Sequence, residues 1–306
     1  MTHEIWTGRS DPEDGPRARR WHDVVRIGGP SDDVVLLGFA CDAGVRRNKG
    51  RPGAAEGPDA LRKALAGQAW HSPRSISDGG DIICRGDALE AAQEELAERV
   101  AAVRTAGGLP LVLGGGHEVA WGTWQGLHRA HPGKTIGIVN IDAHLDLRQP
   151  VGGVGTSGTP FFQVAQACDG AGLPFRYACL GVSPTGNTAA LFDRAAARGV
   201  CVIPDLDTQR DPMSAARRAL AALHDADLIH LTLCLDALPA AVAPGVSAPS
   251  PVGVDMVACC TLIAELAADP RLAAVDVAEL SPPHDRGNQT ARAAARWLHE
   301  VVVATS

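Results

Sequence analysis

The sequence predicts an α/β protein with a central, mainly parallel sheet covered by helices on both faces. Three observations carry this. Short runs rich in Val, Ile and Leu recur along the chain, each about the length of one buried strand. The stretches between them place apolar residues at helical spacing, and strands that alternate with helices favour parallel pairing through right-handed crossovers. Several His, Asp and Glu residues follow directly on the strand-like runs, and in such sheets sites form at the carboxyl ends of the strands.

Residues 1–30 read as an irregular arm packed on the domain, with Trp6 and Trp21 as anchors. Residues 31–306 read as a single domain, without repeat, linker or low-complexity tract. The first strand is expected over 33–40. The loop over 41–53 is Gly-rich and carries Arg46, Arg47, Lys49 and Arg51; it reads either as a solvated turn or as an anion-binding gate over a site. Pro58 suits the first turn of a helix to about residue 66, where its missing N–H has no partner to lose. A helix over 87–106 ends on Gly107-Gly108. The strand over 109–113 runs into Gly114-Gly115-Gly116-His117-Glu118, and a helix covers 119–131. A strand over 135–139 leads to Asp142, and the loop over 152–160 contains Ser157. Strands at 175–182 and 199–203 are separated by a helix at 189–198, and a helix over 212–224 precedes the strand 228–236. Four prolines within 237–253 exclude a long helix or a central strand there. A helix over 255–267, a strand over 272–277 ending beside Glu279, and an amphipathic helix over 289–303 complete the chain.

Composition narrows the functions. A net charge of −7, from 28 basic and 35 acidic side chains, argues against an unaided nucleic-acid or anionic-membrane surface. It leaves room for a local basic pocket that takes a small acidic substrate. No apolar stretch approaches the roughly 20 residues of a bilayer span, and residues 1–20 lack the apolar core of a signal peptide, so a cytoplasmic location is expected. The eight cysteines form no C-x-x-C pair and are expected to be reduced and mostly buried.

The densest chemistry lies in Asp142-Ala143-His144-Leu145-Asp146. If strand geometry persists through Asp146, a period of two points Asp142, His144 and Asp146 the same way. One imidazole and two carboxylates suit Mn²⁺ or another hard-to-borderline divalent ion; a polar strand end without metal is the alternative. His117, alone after three glycines, reads as structural by itself and as a ligand once the next strand also ends in ligands. Asp236 closes a very apolar run, and a carboxylate buried there needs a partner, which metal ligation provides.

Gly114-Gly115-Gly116-His117, the Asp142–Asp146 segment, Asp236 and Glu279 before Ser281-Pro282 together resemble the arginase/ureohydrolase superfamily in order and spacing, over roughly residues 33–303. Within it the chain resembles the formimidoylglutamases in particular. The carriers are Trp6-Thr7-Gly8-Arg9, Gly44-Val45-Arg46-Arg47-Asn48, Gly116-His117-Glu118, Asp146-Leu147-Arg148, Ser157-Gly158-Thr159-Pro160-Phe161 and Ala243-Pro244-Gly245-Val246-Ser247-Ala248-Pro249. The resemblance implies a three-layer α/β/α fold, one catalytic domain over 31–306 and two Mn²⁺ ions per subunit. His117 and Asp146 would sit on one ion, His144 and Asp236 on the other, and Asp142 between them. It also implies hydrolysis of N-formimidoyl-L-glutamate to L-glutamate and formamide, a step of histidine degradation, by a metal-activated hydroxide that attacks the formimino carbon. Asp146 would carry the proton and Glu279 would hold the cationic formimino group. Arg148 or the loop residues Arg46, Arg47 and Arg51, with Ser157, would receive the substrate. A homo-oligomer is compatible with all of this.

Two departures from the superfamily pattern stand out. Thr159-Pro160-Phe161 occupies the place where arginases carry Asn-x-His, which argues against arginase. Cys234 occupies the place of an Asp that usually bridges the two metals. Three readings are open for it: a thiolate ligand, which would favour softer ions such as Zn²⁺; a bystander beside a site with fewer metals; or a reversible disulfide partner of Cys41. Two other functions remain open as well, an agmatinase or guanidino-acid hydrolase and a metal-poor, non-catalytic arginase-like protein.

Overall fold

A computed structural model describes residues 4–29 and 32–305. Among them, nine strands form one sheet in which every pairing is parallel. The strands are β1 (Arg26–Ile27), β2 (Val34–Ala40), β3 (Ile76–Ile83), β4 (Leu109–Leu113), β5 (Ile136–Ile141), β6 (Arg176–Val182), β7 (Cys201–Pro204), β8 (Leu228–Cys234) and β9 (Leu272–Ala278). Their order across the sheet is β1-β3-β2-β4-β9-β8-β5-β6-β7.

Strand alternation feeds two cores. In β2, Val34 and Leu36 join one core while Val35, Leu37 and Phe39 join the other. The first core lies under the helices Gly57–Ala66, Pro212–Ala222, Met256–Ala267 and Gln289–Ala304. The second lies under Leu89–Thr105, Val119–Ala130, Pro160–Ala171 and Ala189–Ala197. The result is the three-layer α/β/α arrangement that the alternation implied. No helix among the described residues is long and apolar enough to cross a membrane.

Several expectations are corrected. The loop expected over 41–53 contains a short helix, Ala43–Arg47. Strand β3 was not expected, because Asp78, Gly79, Gly80 and Asp81 interrupt its apolar pattern. It is tolerated because the fully buried Arg62 pairs with both acids. Helices at Pro160–Ala171 and Asp205–Arg210 likewise had no sequence reading. The arm is not wholly irregular: Trp21–Val24 is helical and β1 extends the sheet edge beside β3. Trp6 and Trp21 are buried, Trp6 Nε1 donating to Asp78 and Trp21 packing edge-on against Trp70. The expected boundary at residues 30 and 31 lies outside the described residues.

Candidate metal centre

Strands β4 and β5 follow one another in sequence but are separated in the sheet by β9 and β8. At such a reversal of strand order the chain leaves a crevice at the carboxyl ends. Each of these four central strands delivers a functional side chain into it. Leaving β4, Gly114 and Gly115 pass so close to neighbouring backbone that a Cβ would lie 2.4 Å from the Val277 carbonyl oxygen and 1.8 Å from that of Cys41. Only glycine fits there, and the passage delivers His117, which is 1 % exposed.

The Asp142–Asp146 trio converges, but not by strand alternation. β5 stops at Ile141, and Asp146 adopts a left-handed backbone with φ 46°. The loop is fixed by Asn187, which accepts from the Leu145 N–H and donates to the carbonyls of Ala143 and Ser183. Asn140 Nδ2 donates to Asp142 Oδ2 and to the Tyr177 hydroxyl, and that hydroxyl donates to the Leu145 carbonyl. Strand β8 likewise ends at Cys234, and Asp236 follows in a short 3-10 turn, Leu235–Ala237.

The side chains form two triads that share Asp142. His117, Asp142 and Cys234 place one ligand atom each within 4.8 Å of one another, and so do Asp142, His144 and Asp236. His117 Nδ1 is 2.9 Å from a carboxylate oxygen of Asp142 and 2.9 Å from one of Asp146. Yet it makes a well-directed hydrogen bond to neither, and Asp236 Oδ1 and Glu279 Oε2 are also buried without a partner among the described residues. Buried polar atoms are normally satisfied. Three buried donor atoms without a partner in one crevice are an arrangement that suits a cation, and in the second triad His144 Nδ1 lies 3.1 Å from Asp236 Oδ2.

Electrostatics agree. Burial, reinforced by Asp142, pushes Asp236 up to about 6. Burial, then Glu118 and Asp236, pushes Glu279 up to about 8. Burial followed by Asp142, Asp236 and Glu279 drives the Cys234 thiol well up. His144 is the reverse case: burial opposes its proton, but Asp236 and Asp142 outweigh burial and raise it to about 12. This is a surplus of negative groups in a buried place, and divalent cations neutralise such a surplus while keeping thiols and carboxyls deprotonated. The donor set of imidazole, carboxylate and one thiol suits Mn²⁺ with a soft component at Cys234.

Behind His117 runs a chain of hydrogen bonds absent from the sequence reading. His117 Nε2 is 3.0 Å from Thr232 Oγ1, Thr232 donates to Asp276 Oδ1 at 2.5 Å, and His230 Nε2 lies 2.6 Å from Asp276 Oδ2. Thr232, His230 and Asp276 are fully buried. Because Thr232 spends its proton on Asp276, it accepts from His117 Nε2–H, which leaves the Nδ1 lone pair for the centre. The available signal was Asp276 itself, an acid in the middle of an apolar strand.

Over the centre lies a cavity of about 310 Å³ whose wall includes His117, Asp146, Cys234, Asp236, Glu279 and Ser157. Of the four arginines expected to meet substrate, Arg148 and Arg51 reach this wall. Arg46 and Arg47 are a correction. Arg46 pairs with Asp42 and the Gly86 carbonyl, Arg47 is held by Asp87, Glu90 and the Gly155 carbonyl, and neither lines the cavity. Arg51 spends its guanidinium on the carbonyls of Pro244, Val246 and Ser247. No disulfide joins Cys41 to Cys234 in this structure: all eight cysteines are free, and the Cys41 thiol is turned to Glu118 Oε1 at 3.6 Å.

Two carboxylate-bearing ligand triads at the switch point of a parallel sheet are the features of a metal-dependent hydrolase class. The chain matches the arginase family over residues 32–304 and belongs to it. The formimidoylglutamase of Aeromonas salmonicida is 50 % identical over 303 residues, 97 % of this chain and 96 % of that one. The formimidoylglutamase of Chromobacterium violaceum is 49 % identical over 298 residues, covering 96 % and 95 %. A Trypanosoma cruzi formiminoglutamase solved with Mn²⁺ superposes with a TM-score of 0.86 at 25 % identity, covering 94 % of this chain and 98 % of that one. The formimidoylglutamase of Bacillus subtilis gives the same TM-score, 0.86, at 20 % identity, over 97 % and 94 %, and speaks for the fold alone.

Proposed function

We propose that this chain hydrolyses N-formimidoyl-L-glutamate to L-glutamate and formamide with two Mn²⁺ ions. The observation that carries the reading is the pair of ligand triads sharing Asp142 beneath a cavity into which Glu279 presents an unpartnered oxygen. Relatives about 50 % identical over nearly the whole chain and named formimidoylglutamase support the choice of substrate. His117, Asp142, Asp146 and Cys234 would hold one ion and Asp142, His144 and Asp236 the other. When bound, the pair supplies charge neutralisation and a water of lowered pKa.

The chain's own residues account for the rest. An amidine carbon is a weak electrophile, and holding the substrate as a cation sharpens it. Glu279 does this through Oε2, which accepts hydrogen bonds from the formimino nitrogen while its other oxygen stays pinned by the His117 N–H at 2.9 Å. Asp146 takes the proton of the attacking water and returns it to the leaving amine, so that the C–N bond to glutamate breaks and formamide departs. Its left-handed backbone sets the carboxylate toward His117 rather than along the loop.

The test is formamide release from N-formimidoyl-L-glutamate by protein loaded with Mn²⁺ under reducing conditions. Metal-dependent release is the expected result. Urea from agmatine or 4-guanidinobutyrate, with no formamide, would overturn the substrate in favour of a guanidino hydrolase. No hydrolysis of any of them would favour the non-catalytic reading.

A further inference from the structure

We infer that Lys49 and Arg148 form a two-point clamp for the two carboxylates of the substrate, and that this clamp selects dicarboxylate amidines over cationic or neutral ones. The inference rests on the reading above and deepens it.

The cavity floor carries three acids, Asp146, Asp236 and Glu279, so a substrate with two carboxylates gains nothing there and its acidic ends must finish on cations in the wall. Three basic side chains line that wall: Lys49, Arg51 and Arg148. Arg51 is committed to three backbone carbonyls and stitches its own loop to the 244–247 segment. Lys49 and Arg148 take part in no side-chain hydrogen bond or ion pair among the described residues, in contrast to Arg46 and Arg47 nearby. They are the two uncommitted cations of the site.

Their placement is built. Arg148 follows the ligand loop, and its N–H donates to the Gly158 carbonyl at 2.9 Å. A Cβ at Gly158 would lie 2.9 Å from Arg148 Cδ and 3.2 Å from Asn48 Nδ2, so glycine is what lets the arginine stem lie along the wall. Lys49 sits at φ 61°, a left-handed conformation that a lysine adopts at a cost. The turn around it is tied down by Lys49 N–H to Arg46 O, Gly50 N–H to Val45 O and Arg51 N–H to Ser247 Oγ. The two residues come from opposite ends of the row of central strands, Lys49 from the loop after β2, which flanks β4, and Arg148 from the loop after β5, the last of the four. The loops meet where Asn48 Nδ2 donates to Ser157 Oγ at 3.2 Å. Both cations line one cavity, so a dicarboxylate held there would be attracted by both, whereas the ammonium tail of agmatine would be repelled by both.

The experiment uses the full chain loaded with Mn²⁺ and reads two quantities: the Kd for L-glutamate, the reaction product, by calorimetry, and KM against kcat for N-formimidoyl-L-glutamate. K49M and R148M should each raise Kd and KM by about ten-fold, with kcat much less affected, and K49R should retain most of the affinity. Thermal melting of each variant checks that it folds. On N-formimidoyl-L-norvaline, in which a methyl group replaces the side-chain carboxylate, one substitution should lose its effect and the other keep it. Glutamate affinity equal to that of the unsubstituted chain in both variants, or both effects persisting on the norvaline analogue, would overturn the clamp. Failure of the functional reading is distinct: the unsubstituted protein would release no formamide, whatever its affinity for glutamate.

Discussion

Two groups of buried acids lie on this fold and are handled in opposite ways. Near the sheet edge, Asp78 is fully buried and Asp81 partly so, and both are matched by the buried Arg62. Its Nε and Nη2 bind the two oxygens of Asp78 at 2.7 and 3.0 Å, and its Nη1 binds Asp81 at 2.6 Å. Trp6 and the Gly80 N–H complete the shell around Asp78. At the ends of the central strands, Asp142, Asp146, Asp236, Glu279 and Cys234 crowd together with no Lys or Arg paired to any of them among the described residues. The first group is a closed structural staple. The second is incomplete as protein and calls for cations from solution.

Substitutions can break or sharpen that contrast. The largest effect is expected at the staple. Arg62→Met strands two carboxylates and should cost about 3–5 kcal/mol in urea unfolding, with no recovery on adding Mn²⁺. Asp236→Asn in the centre should leave the metal-free protein as stable as before or more so, because it removes charge from a crowded site. An equal loss at both places would erase the contrast.

Next in size is the metal itself. Mn²⁺ at a hundred times its Kd should stabilise the chain by about 2.7 kcal/mol, read as a rise in melting temperature that EDTA reverses and Asp142→Ala abolishes. Smaller again is the hydrogen-bond chain behind His117. Thr232→Val should weaken Mn²⁺ binding roughly 10- to 100-fold, while Thr232→Ser, which keeps the hydroxyl, should not. Cys234→Asp should tighten Mn²⁺ binding, since a carboxylate suits that ion better than a thiolate; unchanged affinity would mean that the thiol contributes nothing to the centre.

The smallest effect belongs to a group outside both clusters. Burial lowers the pKa of His299 below 6.5, so the unfolded chain takes up a proton there that the folded chain resists. Its contribution is present above pH 6.5 and is lost as pH falls from 6.5 toward the lower folded value. His299→Phe should flatten the dependence of the melting temperature on pH in that window.

The contrast also explains what the sequence could reveal. Strands such as β4 and β8 are legible because their apolar residues dominate, with only His230 and Thr232 interrupting β8, and carry their own evidence of burial. β3 is not legible, because Asp78 and Asp81 look like loop residues until Arg62, sixteen positions before Asp78, is brought against them. In the centre, Asp142, His144, Asp146 and Asp236 are visible as residue types at strand ends. Their convergence is achieved by a left-handed turn at Asp146 and by Asn187, forty-two positions beyond the Leu145 N–H that it holds, which no local period reports. Thr232 and Asp276 meet because they are register partners on β8 and β9. Sequence also could not separate Arg46 and Arg47 from Arg148, since the difference lies in which of them already has a partner in space.

The measurement that bears most directly on the second group of acids is calorimetric titration of Mn²⁺ into metal-free, reduced protein. Two ions per chain are expected, with Asp142→Ala removing both because its carboxylate belongs to both triads. Absence of binding, or binding indifferent to Asp142, would contradict the account.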